Sequence, residues 1–256
     1  MKNKALLLLL LVVGVQSNTT SLTLFANDYD PKEVLLHTGF SEEEINRLSN
    51  FTINQVAEQI MQSNEFEYQF FALSETQDAS IETRGIIDEE ELSLIITTSN
   101  YDYDGWFLSE IYVKFYYDWI NFPTWRLEDP IAITWDANVF DLIFDSFYQE
   151  DRYYRNGDCL FSNGVNFYCN DNTITWDAKL QSEYFLGIGG TITKLYGFGE
   201  FKLLTTTNYE NINTSLTSNY YHSKKNCAIL TLGSPYGYYV SGDNDSANKT
   251  LPININ

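Results

Sequence analysis

His222, within Asn219-Tyr220-Tyr221-His222-Ser223, is one of two histidines in a chain of 256 residues; the other is His37. An imidazole works as a general base only with a nucleophile on one side and an orienting acid on the other. Serines and acids are abundant here, so spacing singles out no partner, and a Gly-x-Ser-x-Gly elbow is missing. A solitary histidine on a strand reads first as a structural residue. Glycoside hydrolysis needs two carboxylates about 5–10 Å apart across a cleft. With 35 acidic residues, no pair stands out. The tightest run, Asp88-Glu89-Glu90-Glu91, reads as a solvated loop.

Asn100-Tyr101-Asp102-Tyr103-Asp104-Gly105 is like the front half of a calcium loop, with oxygen ligands Asn100, Asp102 and Asp104 at alternate positions and a glycine at the sixth. Its twelfth position is Ile111, with Glu110 one residue early, and strand-like residues flank it where an EF-hand has helices. The competing reading is a plain Asp-Gly hairpin turn. Two histidines and three scattered cysteines lack the spacing of a zinc site. Flat aromatic faces suit sugar rings. Of the five tryptophans, Trp119 and Trp135 fall on the apolar phase of their strands. Trp106 and Trp125 lie beside turns and are the candidates for ligand contact.

Cys159 and Cys169 bracket a segment centred on Asn163-Gly164, a strong hairpin signal. An odd loop about Gly164 sets Cys159 opposite Cys169; an even turn would pair Cys159 with Tyr168 and put the sulfurs on opposite faces. The expectation is the odd loop and a Cys159–Cys169 disulfide, worth about 2–3 kcal/mol in the loop-entropy model. Cys227 is then left as a buried thiol. Arg126 and Asp129, between Pro123 and Pro130, are expected to pair across a loop.

The elements that must carry these residues change character along the chain. Residues 28–64 are helical in pattern. Asp30 caps ahead of Pro31, Gly39 ends a first helix, Ser41-Glu42-Glu43-Glu44 is a capping box, and Thr52-Ile53-Asn54-Gln55 reads as another. Helices this short do not stand alone and must pack on something. From about residue 80 the period becomes two, most clearly from Ile111 to Trp119. Short runs of the same kind follow at 131–136, 139–144, 159–162, 165–169, 173–177, 195–206, 216–222, 226–232 and 237–241. Many short strands with turn punctuation predict an antiparallel β-sandwich. Ile133-Thr134-Trp135-Asp136-Ala137 recurs as Ile174-Thr175-Trp176-Asp177-Ala178. Two copies do not make a propeller; they read as two strands ending alike, each with Trp inward and Asp opening a turn. Residues 242–256 are expected to be a frayed polar tail.

Lys2 and Lys4, then the apolar run 5–15, then Gln16-Ser17, make a secretory signal peptide over 1–17. The run is too short to span a bilayer, which takes roughly 20 residues, and no second such stretch exists. The formal charge is −20. A field of that sign disfavours nucleic acid and anionic membranes.

The motifs Pro31-x-Glu33-Val34-Leu35 with Gly39-Phe40-Ser41 and Glu44-Ile45, then Trp119 with Pro123, Arg126, Asp129 and Trp135, then Tyr221-His222, resemble a group of small secreted β-rich proteins of Gram-positive bacteria. The resemblance spans about 30–240. It implies export and a β-rich body, and it brings no activity. The sequence reading is therefore a signal peptide at 1–17, a helical module at 28–64, a β-sandwich at 80–241 and a tail at 242–256. The leading function is non-enzymatic binding of an extracellular ligand, a glycan or a protein. No cofactor beyond the calcium candidate, no nucleic acid and no membrane span are expected. The alternative is an extracellular hydrolase acting on glycans with paired carboxylates. An exposed aromatic platform would favour binding, and a cleft with two carboxylates would favour hydrolysis.

Overall fold

A computed structural model describes residues 29–63, 65–72, 92–100, 110–120, 128–155, 158–164, 167–179, 192–206, 212–231 and 238–255. The expected signal peptide at 1–17 lies outside them. The described chain is mainly β, with two antiparallel sheets and three short helices that precede the strands.

The helices begin and end where the capping chemistry dictates. Helix α1 (Pro31–Thr38) starts on Asp30, whose carboxylate accepts the Lys32 N–H at 3.0 Å, and stops at Gly39, whose φ of 110° is a left-handed value that suits glycine. Helix α2 (Glu42–Asn46) has the reciprocal Ser41–Glu44 capping box. Helix α3 (Asn50–Gln62) departs from expectation. Its cap is Ser49, which accepts the Thr52 N–H at 3.1 Å, so Thr52 sits inside the first turn and not at the cap. The Thr52 hydroxyl goes instead to a strand, donating to Asp118 at 2.8 Å.

Twelve strands follow: β1 (Glu65–Ala72), β2 (Leu92–Asn100), β3 (Glu110–Trp119), β4 (Glu128–Thr134), β5 (Phe140–Leu142), β6 (Tyr148–Arg155), β7 (Asp158–Gly164), β8 (Tyr168–Asn170), β9 (Thr173–Lys179), β10 (Ile192–Thr205), β11 (Ile212–Thr231) and β12 (Tyr238–Ile255). The first sheet runs β1-β2-β3-β10-β6-β7, with β5 also on β10; the second runs β12-β11-β4-β9-β8. The predicted strands 216–222 and 226–232 are one strand, β11. Residues 242–255, read as a tail, belong to β12 and pair along β11, with Leu251 and Ile253 buried. Local polarity hid them, because every second residue of an edge strand meets water.

Register explains how the first sheet is covered on both faces. Ile95, Tyr116 and Phe198 stand in one row across β2, β3 and β10 and pack against Leu35, Ile53, Val56 and Ile60 of the helices. One position along, Ile96, Phe115 and Gly199 form a row on the other face, which meets the second sheet. Helices that cannot stand alone thus gain their apolar partner from the sheet.

Gly199 is where the two sheets interlock. A Cβ there would lie 2.5 Å from Cζ2 of Trp176, so the missing side chain is the space that the indole of the second sheet occupies. Within the first sheet, Gly197 likewise leaves room for the ring of Tyr117, its cross-strand neighbour on β3. The Ile-Thr-Trp-Asp-Ala repeat is resolved by pairing: Ile133 faces Ile174 and Thr134 faces Thr173 across β4 and β9. Trp135 and Trp176 are both buried, as expected. Asp136 does open a turn, its carbonyl accepting the Val139 and Phe140 N–H groups. Asp177 opens none, since it lies inside β9 opposite Pro130.

The disulfide expectation is corrected. Cys159 is on β7, opposite Tyr154 in the first sheet; Cys169 is on β8, opposite Ile174 in the second. The chain between them crosses from one sheet to the other and forms no hairpin, and no bond joins the two sulfurs. The Asn-Gly signal lost because pairing β7 to β6 and β8 to β9 satisfies both strands separately.

Candidate functional site

Asp129 is completely buried on β4, and His222, on β11, is 4 % exposed. The His222 Nδ1 lies 3.0 Å from Asp129 Oδ2 and 3.1 Å from Oδ1. The expected Asp129–Arg126 pair is not tested, because Arg126 lies outside the described residues; Asp129 turns to the core. The Tyr220 hydroxyl donates to Asp129 Oδ2 at 2.5 Å, and the Trp119 indole N–H donates to the Tyr220 oxygen at 3.2 Å. Trp119 also lies edge-on to the imidazole, with ring centroids 4.9 Å apart. Trp119 comes from the first sheet and the other three from the second, so the cluster bridges the layers.

A second acid–tyrosine pair stands beside it. The Tyr117 hydroxyl donates to the buried Asp151, whose other oxygen accepts the Gln149 amide at 3.2 Å. The same amide donates to the Asp177 carbonyl of the second sheet at 2.6 Å. The Tyr117 and Tyr220 rings are 6.0 Å apart. Burial, then the adjacent carboxylates, push both phenols well above the usual tyrosine range, so they stay protonated donors. Buried carboxylates require such donors.

Chemically, this is an Asp–His–Tyr arrangement sealed between sheets. Among the described residues the imidazole's hydrogen-bond partner is the Asp129 carboxylate, and not a serine, threonine or cysteine nucleophile. With Asp129, Tyr220 and His222 all buried, no substrate reaches it in this conformation. Sequence spacing had no means of finding it, because Asp129 and His222 are 93 positions apart.

The outer face of the first sheet carries an open polar cleft of about 430 Å³ beside α3. Gln55, Glu58, Gln59 and Gln62 form one wall; Tyr112, Lys114, Glu200 and Lys202 form the other. Its charges are matched internally. Lys114 and Glu200 pair at 2.7 Å, and Lys202 and Glu110 at 3.2 Å. Gln59 is committed to the fold, accepting from Thr97 at 2.9 Å and donating to Ser99 at 3.1 Å.

Large apolar side chains are exposed elsewhere. Phe144, on a 3-10 turn between β5 and β6, is 65 % exposed, and Tyr168, on β8, is 69 % exposed. The segments that carry them touch through Phe147 and Phe167, with ring centroids 4.9 Å apart, and Phe147 continues inward to Trp176 at 5.5 Å. Phe167 thus packs inward, whereas Tyr168, paired with Thr175, stands on the opposite face of the second sheet. Asp145 and Asp171 are exposed as well. Neither ring was singled out by sequence, since exposure of an aromatic on a strand end is set by what the opposite sheet covers.

Asn100 ends β2, opposite Ile111. Asp102, Asp104 and Trp106 of the calcium and ligand candidates, and Trp125, lie outside the described residues. Among the described residues no group of three or more His, Cys, Asp or Glu is placed to hold a metal ion. Among them, too, no helix is long and apolar enough to cross a membrane.

No family model matches the chain, and no curated protein matches it. Among solved structures it is similar to one titled "Pore forming protein", at 9 % identity over 75 % of this chain and 91 % of that one, with a TM-score of 0.33. It is similar to Clostridium perfringens delta-toxin at 8 % identity over 74 % and 88 %, with a TM-score of 0.33. It is also similar to a collagen-binding domain from a Staphylococcus aureus adhesin, at 10 % identity over 58 % and 98 %, with a TM-score of 0.29. The overlap at these scores is loose, and nothing about function follows from it.

Proposed function

We propose that this chain is a secreted or surface-associated β-sandwich protein that binds an extracellular ligand without turning it over. The exposed aromatic rings of Phe144 and Tyr168 carry the reading. Leaving two aromatic rings in water forfeits burial worth about 1.5–3 kcal/mol each, which favours a role in contact with something else. The enclosure of the Asp129–His222 pair supports the same reading, because a catalytic base must meet its substrate. Export rests on the signal-like segment 1–17.

The test has two arms. N-terminal sequencing of the protein recovered from its source should begin near residue 18, outside the cell. The mature protein on an array of cell-wall and extracellular glycans and matrix proteins should retain a ligand and leave it intact. Release of reducing ends from a bound glycan would favour the hydrolase alternative and overturn this proposal.

A further inference from the structure

We infer that Asp118 makes the docking of helix α3 on the first sheet responsive to pH, closed in acid and looser at neutral pH. The latch consists of one carboxylate and one helical turn. Asp118, on β3, is buried. Its Oδ2 accepts the Ser49 N–H at 2.6 Å, and its Oδ1 accepts the Thr52 hydroxyl at 2.8 Å. Ser49 is the cap of α3 and Thr52 lies in the first turn, so both bonds tie the start of the helix to the sheet. Beyond that turn, Ile53, Val56 and Ile60 pack with Ile95, Tyr116 and Phe198 of the sheet. Lifting α3 uncovers this apolar strip.

The surroundings match an ionised Asp118 poorly. A carboxylate has about four acceptor sites, and the helix fills only part of them. Ser93 stands directly opposite on β2, yet its buried hydroxyl makes no hydrogen bond. Tyr196 stands opposite on β10 and stacks on Phe51 of α3. Next to Tyr196, on β6, Arg152 lies over the Phe51 ring and pairs with Glu150. Arg47, the residue that ends α2, lies over the Phe70 ring of β1. Farther along β3 and β10, Lys114 pairs with Glu200. Among the described residues, then, these cations pair or stack elsewhere and none forms an ion pair with Asp118. A carboxylate taken out of water without a counter-ion favours its protonated form, and burial pushes this carboxyl up to about 6. The protonated acid still accepts one hydrogen bond and can donate another, so the tie survives in acid. Docking is therefore strongest below about pH 4, the range of an exposed aspartate, and weakens as pH rises through about 6. Between pH 5 and pH 7 the docking equilibrium falls about tenfold.

Hydrogen exchange of the full mature chain, read by mass spectrometry at pH 5 and pH 7 and corrected for the intrinsic rate, tests the latch. Each pH is run with and without about 1 M urea, which drives global unfolding and leaves a small local opening unaffected. The amides of Thr52–Gln62 should exchange faster than those of Leu195–Leu203 on β10, and without dependence on urea. Their protection should fall about tenfold from pH 5 to pH 7, and the fall should vanish in Asp118→Asn. Equal protection and equal urea dependence in α3 and β10 would mean that the helix opens only with the whole fold, which overturns the latch. A fall that persists in Asp118→Asn would overturn the part given to Asp118. Carbon-13 NMR of the native chain needs no variant. The Asp118 carboxyl should titrate near 6, with the same midpoint as the exchange of α3. A carboxyl midpoint below about 5 would overturn the proposal.

Discussion

Asp129 and His222 lie 3.0 Å apart within a mainly aromatic and aliphatic core, and they join β4 to the middle of β11. A buried carboxylate with its donors removed is costly, and so are donors left without their carboxylate.

Asp129→Ala should therefore destabilise by about 3–5 kcal/mol, since it strands both Tyr220 and His222. Tyr220→Phe removes one donor and should cost about 1–3 kcal/mol. Urea denaturation of the purified variants measures both. If Asp129→Ala unfolds no more easily than the native chain, the Asp129 cluster does not stabilise the packing of β4, β11 and the first sheet.

Asp118 gives a pH signature. Burial pushes its carboxyl from 3.8 up to about 6, against the hydrogen bonds from the Ser49 N–H and Thr52 hydroxyl. A raised folded-state pKa means that the contribution to stability is full below about 4 and is lost as pH rises through about 6. The loss amounts to roughly 3 kcal/mol across that window. In Asp118→Asn, which stays neutral throughout, the fall in stability between pH 4 and pH 7 should shrink by that amount. Melting curves at several pH values check the difference between the two proteins.

Gly199→Ala should destabilise by about 1–3 kcal/mol through overpacking against Trp176. Trp176→Leu in the same chain should recover part of that loss, because the indole atoms nearest the new methyl are gone. Thermal melts of the two single variants and the double variant give the coupling.

Reducing agent should leave the melting temperature unchanged, and a non-reduced digest should contain no Cys159–Cys169 linked peptide. Finding that peptide by mass spectrometry would mean that β7 and β8 pair as the hairpin the Asn-Gly turn suggests.

How much of this was legible beforehand depends on range. The caps at Asp30, Gly39 and Ser41, and the alternation of 111–119, are written in neighbouring residues, so they could be read directly. The cap of α3 was misplaced by three positions because Thr52 satisfies Asp118, 66 residues away, and not its own helix. Residues 242–255 looked like a tail because their partner strand gives them their order, and no local pattern announces it.

Period, capping and composition alone determined a β-rich body behind short helices, because those depend on contacts within a turn or a strand. Tertiary structure decided which sheet each strand joined, and with it the separation of Cys159 from Cys169, the meeting of Asp129 with His222, and the exposure of Phe144 and Tyr168. The physical reason is that strand pairing is set by which faces bury together. That choice is made between segments far apart in the chain, where sequence spacing carries no distance.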